Sequence, residues 1–498
     1  MLYANRRCRG LKLAEVSEKK QSRLRWYRAA TDQLYPQMTF GALPDDVLLE
    51  TFEFYLGKDD PEYIMGQNYD GWQTLVHVCR RWRCIVFTSP RRLDLKLYCI
   101  PQRLVKSETL NIWPVLPIVI DARNIQSKEE VTNIMATLRH HNRVCKIYYR
   151  NTGRQFEDSL LKEFAAIDEP FPALTSLGLS SFEQNATVLP DLFLGGSAPQ
   201  LRSLYLEGVP YPSIGTLLSS TTNLIQLSLS RIPRSGYISP ETIVLCLSTL
   251  CKLKSIVLGF QYDRSRAHRA SRHPPPLTRL VFPNLTTLSF NGEIEYLEDI
   301  LSQIEIPMLN QTYFSFFNRL VFDTPLLGHF IRRTEIFMTI HTARVTFNSW
   351  DVEVILFGQE DIDNDGEALE LRISCKPLDW QLSAVAQILN SFMSSLPTLE
   401  SLEISVDRDD WQGEIEVTQW QEVLQPFTSV KEMTLVREGS VRHVAPALQE
   451  LARERPTEVL PTLQELSLST EPSGPVKEAI EQFISTRRLC GRPVTVLY

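Results

Sequence analysis

Two hallmarks of membrane and secreted proteins are missing from this sequence. Its 498 residues contain no run of about 18 uncharged apolar residues, the length that a membrane-spanning helix needs. The first ten residues carry Arg6, Arg7 and Arg9, and no apolar segment follows them as it does in a secretory signal. We therefore expect a protein without a membrane partner, located in the cytoplasm, the nucleus or both.

Cysteine pairs of the kind that hold metals or catalyse redox reactions are also missing. The nine cysteines are irregularly spaced, and none stands in a C-x-x-C pair, which is typical of reduced thiols inside a cell. Phosphate-binding glycine loops, the G-x-S-x-G nucleophile motif and the H-E-x-x-H zinc motif are absent as well. The sequence thus predicts no enzyme activity, no metal site and no cofactor.

Neither sign of charge dominates the chain, but the charge is unevenly placed. Lys and Arg total 52 against 59 Asp and Glu, a net charge of −7, which excludes a generally basic nucleic-acid binder. Residues 1–35 hold nine basic and three acidic residues, hence +6, and leave −13 for the remainder. A basic helix over 11–34 is predicted within an N-terminal region of residues 1–38. This helix and the Arg-rich loop 262–279 suggest a nucleic-acid-associated role, which is the least favoured alternative.

Two apolar helices are predicted after this region. In 40–57, Pro44 marks a helix start, Asp45 and Asp46 place negative charge in its first turn, and apolar residues follow at helical spacing. A second, continuous helix with one apolar face is predicted over 72–90. That face is formed by Leu75, Val78, Cys79, Trp82 and Val86. The two helices are therefore expected to form a hairpin.

From Leu116 onwards the chain repeats one short pattern. The unit is apolar-x-x-apolar-x-apolar, commonly with a proline two residues before its first position, as in Pro172-Ala173-Leu174. Each copy predicts a short strand whose apolar side chains point into a stack. Eight good copies start at residues 174, 201, 224, 253, 285, 399, 430 and 463, and weaker ones are expected at 144–149, 343–347 and 369–373.

The predicted fold class is α/β. One repeat cannot bury its own apolar face, so the copies are expected to stack as a leucine-rich-repeat solenoid over 101–498. Parallel strands would line its concave face, and helices or loops would line its convex face. Helices predicted at 325–334 and 381–395 would return the chain between strands.

The helix pair resembles the F-box motif. Its first half reads LPDDVL at 43–48 and its second half VCRRW at 78–82, in the order that the family has them. The loop between the halves is longer than usual, and Arg91 and Arg92 stand where an aromatic residue is common. The resemblance implies an F-box domain over 39–100. The whole chain resembles the F-box/leucine-rich-repeat proteins that are abundant in mushroom-forming fungi.

This resemblance implies a docking role for the hairpin. F-box proteins bind a Skp-type adaptor, which connects them to the cullin and RING subunits of an SCF-type ubiquitin ligase. The residues alone agree, because so small a hairpin cannot bury all the apolar groups that it carries. The candidate adaptor-binding residues are Leu43, Pro44, Val47, Leu48, Val78, Cys79 and Trp82. The alternative is that they pack inward on the first repeat, and Trp82 fits either place.

The outward strand positions of the eight good repeats predict a second site. Of these 24 positions, 13 are Ser or Thr, four are Glu, and none is Lys or Arg. Small polar residues suit any exposed strand, but the missing cations favour a neutral or basic polypeptide over nucleic acid. The candidate substrate-binding residues are Tyr205, Glu207, Glu403, Glu432 and Glu465.

The function predicted from these features is non-catalytic. The chain would be the substrate receptor of an SCF-type ligase, with its repeats binding a protein substrate that the sequence does not identify. A scaffold that holds the adaptor but acts outside ubiquitination is the first alternative, because the sequence features would be the same.

Overall fold

The chain divides into two compact units between Leu97 and Tyr98. The computed structural model describes residues 43–56, 71–100, 107–153, 155–183, 186–261, 279–317, 322, 324–358, 366–393, 396, 398–407, 417–454 and 459–498. The predicted N-terminal helix over 11–34 lies outside the described residues, as does all of the 262–279 loop except Arg279.

The described part of unit 1 contains three short helices. They are α1 (Asp45–Leu56), α2 (Gly71–Val78) and α3 (Arg80–Thr88). Helix α1 begins as the sequence predicts, with the Leu48 N–H bonded to the Pro44 carbonyl at 3.1 Å. The Arg81 guanidinium donates to Asp45 Oδ1 and to the Leu43 carbonyl, both at 2.5 Å. Arg81 therefore fixes the start of α1 beside α3.

The prediction of one continuous helix over 72–90 is wrong, because the helix is interrupted at Cys79. This residue has an extended backbone (φ −157°, ψ 169°) and caps α3, its Sγ accepting a hydrogen bond from the Trp82 N–H at 3.4 Å. The break also splits the predicted apolar face: Leu75 is buried, whereas Val78 and Cys79 are exposed.

Unit 2 is dominated by one large, mostly parallel sheet. The described residues form 18 strands. Sixteen of them make up this sheet, in the order β1-β2-β3-β4-β5-β6-β7-β9-β11-β14-β13-β12-β15-β16-β17-β18, and β8 pairs with β10 apart from it. The strands are β1 (Leu97–Cys99), β2 (Ile118–Ala122), β3 (Val144–Asn151), β4 (Ser176–Ser181), β5 (Ser203–Glu207), β6 (Gln226–Ile232), β7 (Ser255–Phe260), β8 (Leu280–Val281), β9 (Thr287–Gly292), β10 (Ile304–Glu305), β11 (Gln311–Phe317), β12 (Thr342–Phe347), β13 (Asp351–Phe357), β14 (Glu367–Ser374), β15 (Ser401–Val406), β16 (Glu432–Val436), β17 (Glu465–Leu468) and β18 (Thr495–Leu497). A mixed α/β architecture with a long parallel sheet is consistent with the predicted leucine-rich-repeat stack.

Each regular repeat enters its strand through a tight turn. In the repeat of β4, the Leu174 N–H bonds to the Phe171 carbonyl at 3.1 Å. Pro172 stands at the second turn position, where its fixed φ favours this geometry. The same bond from the first leucine recurs at Leu201, Leu224, Leu253, Leu285, Leu399 and Leu463. In the repeats that have it, the proline therefore lies in the turn before the strand, and Thr222 and Cys251 take its place before Leu224 and Leu253.

Backbone hydrogen bonds hold consecutive repeats in register. The Thr175 carbonyl accepts from the N–H groups of Arg202 at 2.8 Å and Ser203 at 3.2 Å. One repeat later, the Arg202 carbonyl accepts from Ile225 at 2.8 Å and Gln226 at 3.0 Å. Equivalent residues of neighbouring strands consequently face each other, and the buried leucines form continuous rows.

Polar side chains in several turns donate hydrogen bonds to the turn of the preceding repeat. Asn284 Nδ2 donates to the Cys251 carbonyl at 2.8 Å. Thr462 Oγ1 donates to the carbonyls of Thr428 at 3.0 Å and Val430 at 2.8 Å. Because each bond reaches from one repeat to its predecessor, these side chains stabilise the stack rather than a single strand.

The weaker strands predicted at 343–347 and 369–373 are present as β12 and β14, but the expectation that the strands are all parallel is wrong in one place. Strands β12 and β14 are parallel to the regular strands, but β13 lies between them and is antiparallel to both. The chain therefore runs backward through these three strands, which we call the inverted segment (residues 342–374). The cause is the tight turn after β12, where the Asn348 N–H bonds to the Asp351 carbonyl at 2.8 Å. Two neighbouring strands that are joined by a tight turn, with no helix between them, pair in antiparallel fashion.

Helices return the chain between most strands of unit 2. They are α4 (Ser107–Ile112), α5 (Lys128–Leu138), α6 (Gln155–Ala165), α7 (Ile214–Ser220), α8 (Pro240–Leu247), α9 (Ile294–Leu301), α10 (Pro325–Arg333), α11 (Leu378–Phe392), α12 (Val417–Leu424), α13 (Arg437–Glu454) and α14 (Pro475–Leu489). Helices α10 and α11 confirm the two that the sequence predicts.

Consecutive helices from α7 onwards contact one another in chain order. Buried Glu298 of α9 links two of them, because its carboxylate accepts from the N–H groups of Leu326 at 3.2 Å and Leu327 at 2.6 Å at the start of α10. Across the described ranges, no helix combines the length and apolar character needed to cross a membrane.

Candidate protein-binding surfaces

Helix α1 of unit 1 separates two neighbouring residues that the sequence assigned to one surface. Val47 is 39% exposed, whereas Leu48 is 0% exposed. Successive residues of an α-helix point about 100° apart, so one side chain can reach solvent while the next lies in the core. Leu48 packs in the core with Leu49 and Phe52. In this conformation Leu48 supports the hairpin and is not part of its surface.

The other predicted adaptor-binding residues lie nearer the surface. Pro44 and Cys79 are exposed, Val78 is 55% exposed, and Leu43 and Trp82 are half-buried. The Trp82 ring meets Phe52 edge-on at 4.8 Å between ring centroids, which assigns most of this side chain to packing within unit 1.

Two exposed aromatic residues of α1, Phe54 and Tyr55, are not among the residues that the sequence predicts for the adaptor-binding surface. Phe54 is seven residues after Val47, which places both on the same helix face, and Tyr55 follows it. Helical periodicity counted from Val47 would have found Phe54. The exposed apolar stripe of α1 is therefore longer than the motif that drew attention to it.

Outward strand side chains of unit 2 form a second surface, which we call the open sheet face. All five predicted substrate-binding residues lie on it, in two groups. Tyr205 and Glu207 are on β5, whereas Glu403, Glu432 and Glu465 are on β15, β16 and β17. Eight strand spacings separate β5 from β15, or about 38 Å along the sheet. The structure therefore does not bring the five residues together.

The acidic group formed by Glu403, Glu432 and Glu465 is partly neutralised by a basic side chain. Glu432 and Glu465 face each other directly across β16 and β17. Glu403, in contrast, accepts a hydrogen bond from Arg344 Nε at 2.7 Å. Glu432 and Glu465 thus remain candidates for binding a basic partner, and Glu403 is a weaker one.

The open sheet face is not free of basic residues, contrary to the expectation from the eight good repeats. Strand β3 places Lys146 and Arg150 on it, β12 adds Arg344, and β14 adds Arg372. The expectation failed because these strands match the leucine pattern poorly and were left out of the count. Reading the weaker copy at 144–149 for its outward residues would have revealed Lys146.

The inverted segment neutralises its own charges. Arg372 forms ion pairs with Glu353, with Glu370 at 3.0 Å and with Asp351 at 3.7 Å, and the Glu353 side chain is only 4% exposed. Burial raises the pKa of Glu370, Arg372 opposes that rise, and the nearby carboxylates, including Glu353, add to it. Because these groups bond to one another, the inverted segment offers few charges to a partner.

A cleft of ≈ 350 Å³ opens on the open sheet face at the other end of the sheet. Its centre is Gly178 of β4, which stands in register with Tyr148 of β3 and Tyr205 of β5. The lining residues are Arg123, Tyr148, Tyr149, Arg150, Gly178, Leu179, Ser180, Tyr205, Leu206, Glu207, Ser228 and Ser230. Of the predicted residues, the structure thus brings Tyr205 and Glu207 together in one concave site.

Ligands for a metal are not clustered in the described part of the chain. No group of three or more His, Cys, Asp or Glu side chains there is placed to hold an ion. The described cysteines are all free thiols, and burial raises the pKa of the Cys99 thiol although its contact with Thr137 lowers it.

Comparisons with known proteins find similarity among solved structures, where 23 chains match. No protein-family description matches the chain, and no curated protein does. Among solved structures, the chain is similar to the leucine-rich-repeat-containing protein LegL7 from Legionella pneumophila. The TM-score is 0.28 at 16% identity, over 68% of this chain and 97% of that one. The repeat character of this chain is carried instead by its own strand register and turns.

Proposed function

We propose that this chain is a non-catalytic scaffold that binds two proteins, one through each unit. The observation that carries the proposal is the open sheet face, a continuous row of outward strand residues with an aromatic cleft at one end. Most outward positions of its regular strands are small and polar, which lets a polypeptide approach the backbone closely. Sheet faces of stacked repeats are well suited to such extended partners.

For unit 1 we propose the more specific role that its sequence resemblance implies. Its helices would bind a Skp-type adaptor and thereby cullin and RING subunits, which makes the chain a substrate receptor of an SCF-type ubiquitin ligase in the cytoplasm or nucleus. Pro44, Val47 and Val78 are exposed, and burying an apolar side chain of this size against a partner contributes about 1.5–3 kcal/mol. The same surface would serve a scaffold that acts outside ubiquitination.

The test of the adaptor role compares two exposed apolar sites on the full chain. Val47→Asp combined with Val78→Asp is expected to reduce capture of a purified Skp-type adaptor by more than about tenfold, because each change places a charge in the interface. Leu245→Asp, at an exposed site of α8 in unit 2, is the matched control and should leave capture unchanged.

Equal capture by both variants would show that α1 and α2 do not form the interface. Failure of the unmodified chain to capture the adaptor at all would reject the ubiquitin-ligase role. Substrate turnover in a reconstituted ligase then separates a receptor from a scaffold that only holds the adaptor.

A further inference from the structure

The cleft around Gly178 is built so that a glycine is needed for space and not for backbone conformation. Gly178 has no positive φ, so its backbone would accept other residues. A Cβ atom at this position would, however, lie 3.1 Å from Tyr148 Cδ1. The Tyr148 ring therefore packs over Gly178. The cleft continues beyond that ring to Tyr205, which also lines it, and we call this part of the cleft the slot.

Both tyrosine walls of the slot are held in place before any ligand binds. The Tyr148 hydroxyl contacts Ser176 Oγ at 3.3 Å, and the Tyr205 hydroxyl donates to Gln226 Oε1 at 2.8 Å. The Arg123 guanidinium lies 5.4 Å from the centre of the Tyr148 ring. Rings that are already ordered lose little conformational entropy on binding a planar group.

Two cations flank the slot on the same strand. Lys146 and Arg150 lie two residues before and after Tyr148 on β3, about 6.7 Å along the strand in each direction. Among the residues that the structure describes, neither has an ion-pair partner. The other charges nearby are matched, because Arg123 pairs with Asp121 at 2.7 Å. Arg231 also lies 3.9 Å from Glu207.

From this arrangement we propose that the cleft binds an extended acidic peptide through an aromatic side chain. The aromatic ring enters the slot between Tyr148 and Tyr205. Carboxylates two residues before and after it pair with Lys146 and Arg150, because an extended peptide repeats its side-chain direction every second residue. The recognised sequence is therefore acidic-x-aromatic-x-acidic.

This inference rests on the proposed protein-binding role and narrows it. The eight good repeats, which do not include β3, favour a neutral or basic partner. At the β3 end, the uncompensated charge has the opposite sign. The binding motif is thus set by Lys146 and Arg150, while Glu432 and Glu465 lie far away on the sheet.

The test is fluorescence anisotropy of the full chain with labelled peptides. The probe has the core Asp-Ser-Trp-Ser-Asp, and the two comparison peptides replace Trp by Ala or both Asp by Lys. The probe is expected to bind at least about tenfold more tightly than either, and to weaken as salt is added. Binding of the Lys peptide as tight as that of the probe would overturn the charge assignment.

Two variants locate the binding. Lys146→Glu combined with Arg150→Glu is expected to weaken binding of the probe peptide about tenfold or more. Arg202→Glu with Lys254→Glu makes the same change of charge at exposed turn positions outside the cleft and should alter binding less than about twofold. Equal losses in both pairs would overturn the site, because they would show a general charge effect.

Gly178→Val pushes the Tyr148 ring towards the slot without changing charge and is expected to abolish the preference for Trp over Ala. An unchanged preference in a chain with unchanged circular dichroism would overturn the aromatic slot. Adaptor capture is measured on the same samples. Loss of peptide binding with intact capture rejects the cleft alone, whereas peptide binding without capture rejects only the adaptor role.

Discussion

The regular strands and the inverted segment share one sheet but use its open face in opposite ways. From β4 to β9, outward residues such as Ser228 and Ser289 are small, and the only charge on those strands near the cleft belongs to Glu207 and Arg231. In the inverted segment, Glu353 is buried under Arg372 on that same face. The side chains of the first region are accessible to a partner, whereas those of the second form ion pairs with one another.

The direction of one strand explains this contrast. In the regular strands, equivalent positions of one repeated sequence pattern stand side by side, as Ser180, Glu207 and Ser230 do. Strand β13 runs the other way, and it sets Glu353 opposite Arg372 and Ile355 opposite Glu370. Unlike neighbours allow opposite charges to meet. Partner binding is therefore expected on the regular strands, and stability is expected to depend on the inverted segment.

The largest effect should come from removing the arginine of the network. Arg372→Met leaves Glu353 buried without its cation and is expected to lower the free energy of unfolding by about 3 kcal/mol, near the bottom of the range for broken buried ion pairs because Arg372 is partly exposed. Arg150→Met, on the regular part of the face, should change it by less than about 0.5 kcal/mol. Urea denaturation of both variants measures the difference. Similar values would erase the contrast between the two regions.

A smaller effect is expected in the turns of the regular repeats. Asn284→Ala removes the bond to the Cys251 carbonyl and should cost about 0.5–1.5 kcal/mol. Thr462→Val, at the same position of a distant repeat, should cost a similar amount, and the two losses should add within about 0.5 kcal/mol. Thermal unfolding of the single and double variants tests this. A clearly non-additive pair would show that the repeats do not act as independent neighbours.

The smallest effect concerns the charge of Glu370. Because its folded pKa is raised above the unfolded value, the folded state binds this proton more tightly. Stability is consequently lost as the pH rises through the folded pKa. Glu370→Gln should therefore raise the unfolding temperature at pH 7.5, and the gain should shrink towards pH 4. A gain that is equal at both pH values would contradict the raised pKa.

Much of the regular part of the molecule could be predicted because its signals are local. The turn proline, the leucine spacing and the helix at 325–334 depend on neighbours in sequence. The break at Cys79 could not be predicted, since no proline or glycine stands near it and the backbone of one residue decides it. The inverted segment was equally hidden, because its strands have ordinary β patterns and the chain reverses direction both after β12 and after β13.

For the candidate sites, the limits were of a different kind. Tyr205 and Glu207 were found because they lie in a well-matched repeat, whereas Lys146 and Arg150 lie in a poor one. The sequence also placed Val47 and Leu48 on one surface. The turn of the helix by one residue places Val47 at the surface and Leu48 in the core. Both side chains are apolar, so their types do not predict which of the two is buried.

By itself, the sequence determined that short strands recur, where their turns begin, and which side chains alternate between core and surface. These properties follow from backbone geometry and side-chain size within each repeat. Tertiary structure alone decided which strands became neighbours. That choice placed Gly178 between two tyrosines and Glu353 beneath Arg372, because residues far apart in sequence meet only after the backbone hydrogen bonds between strands have set their order.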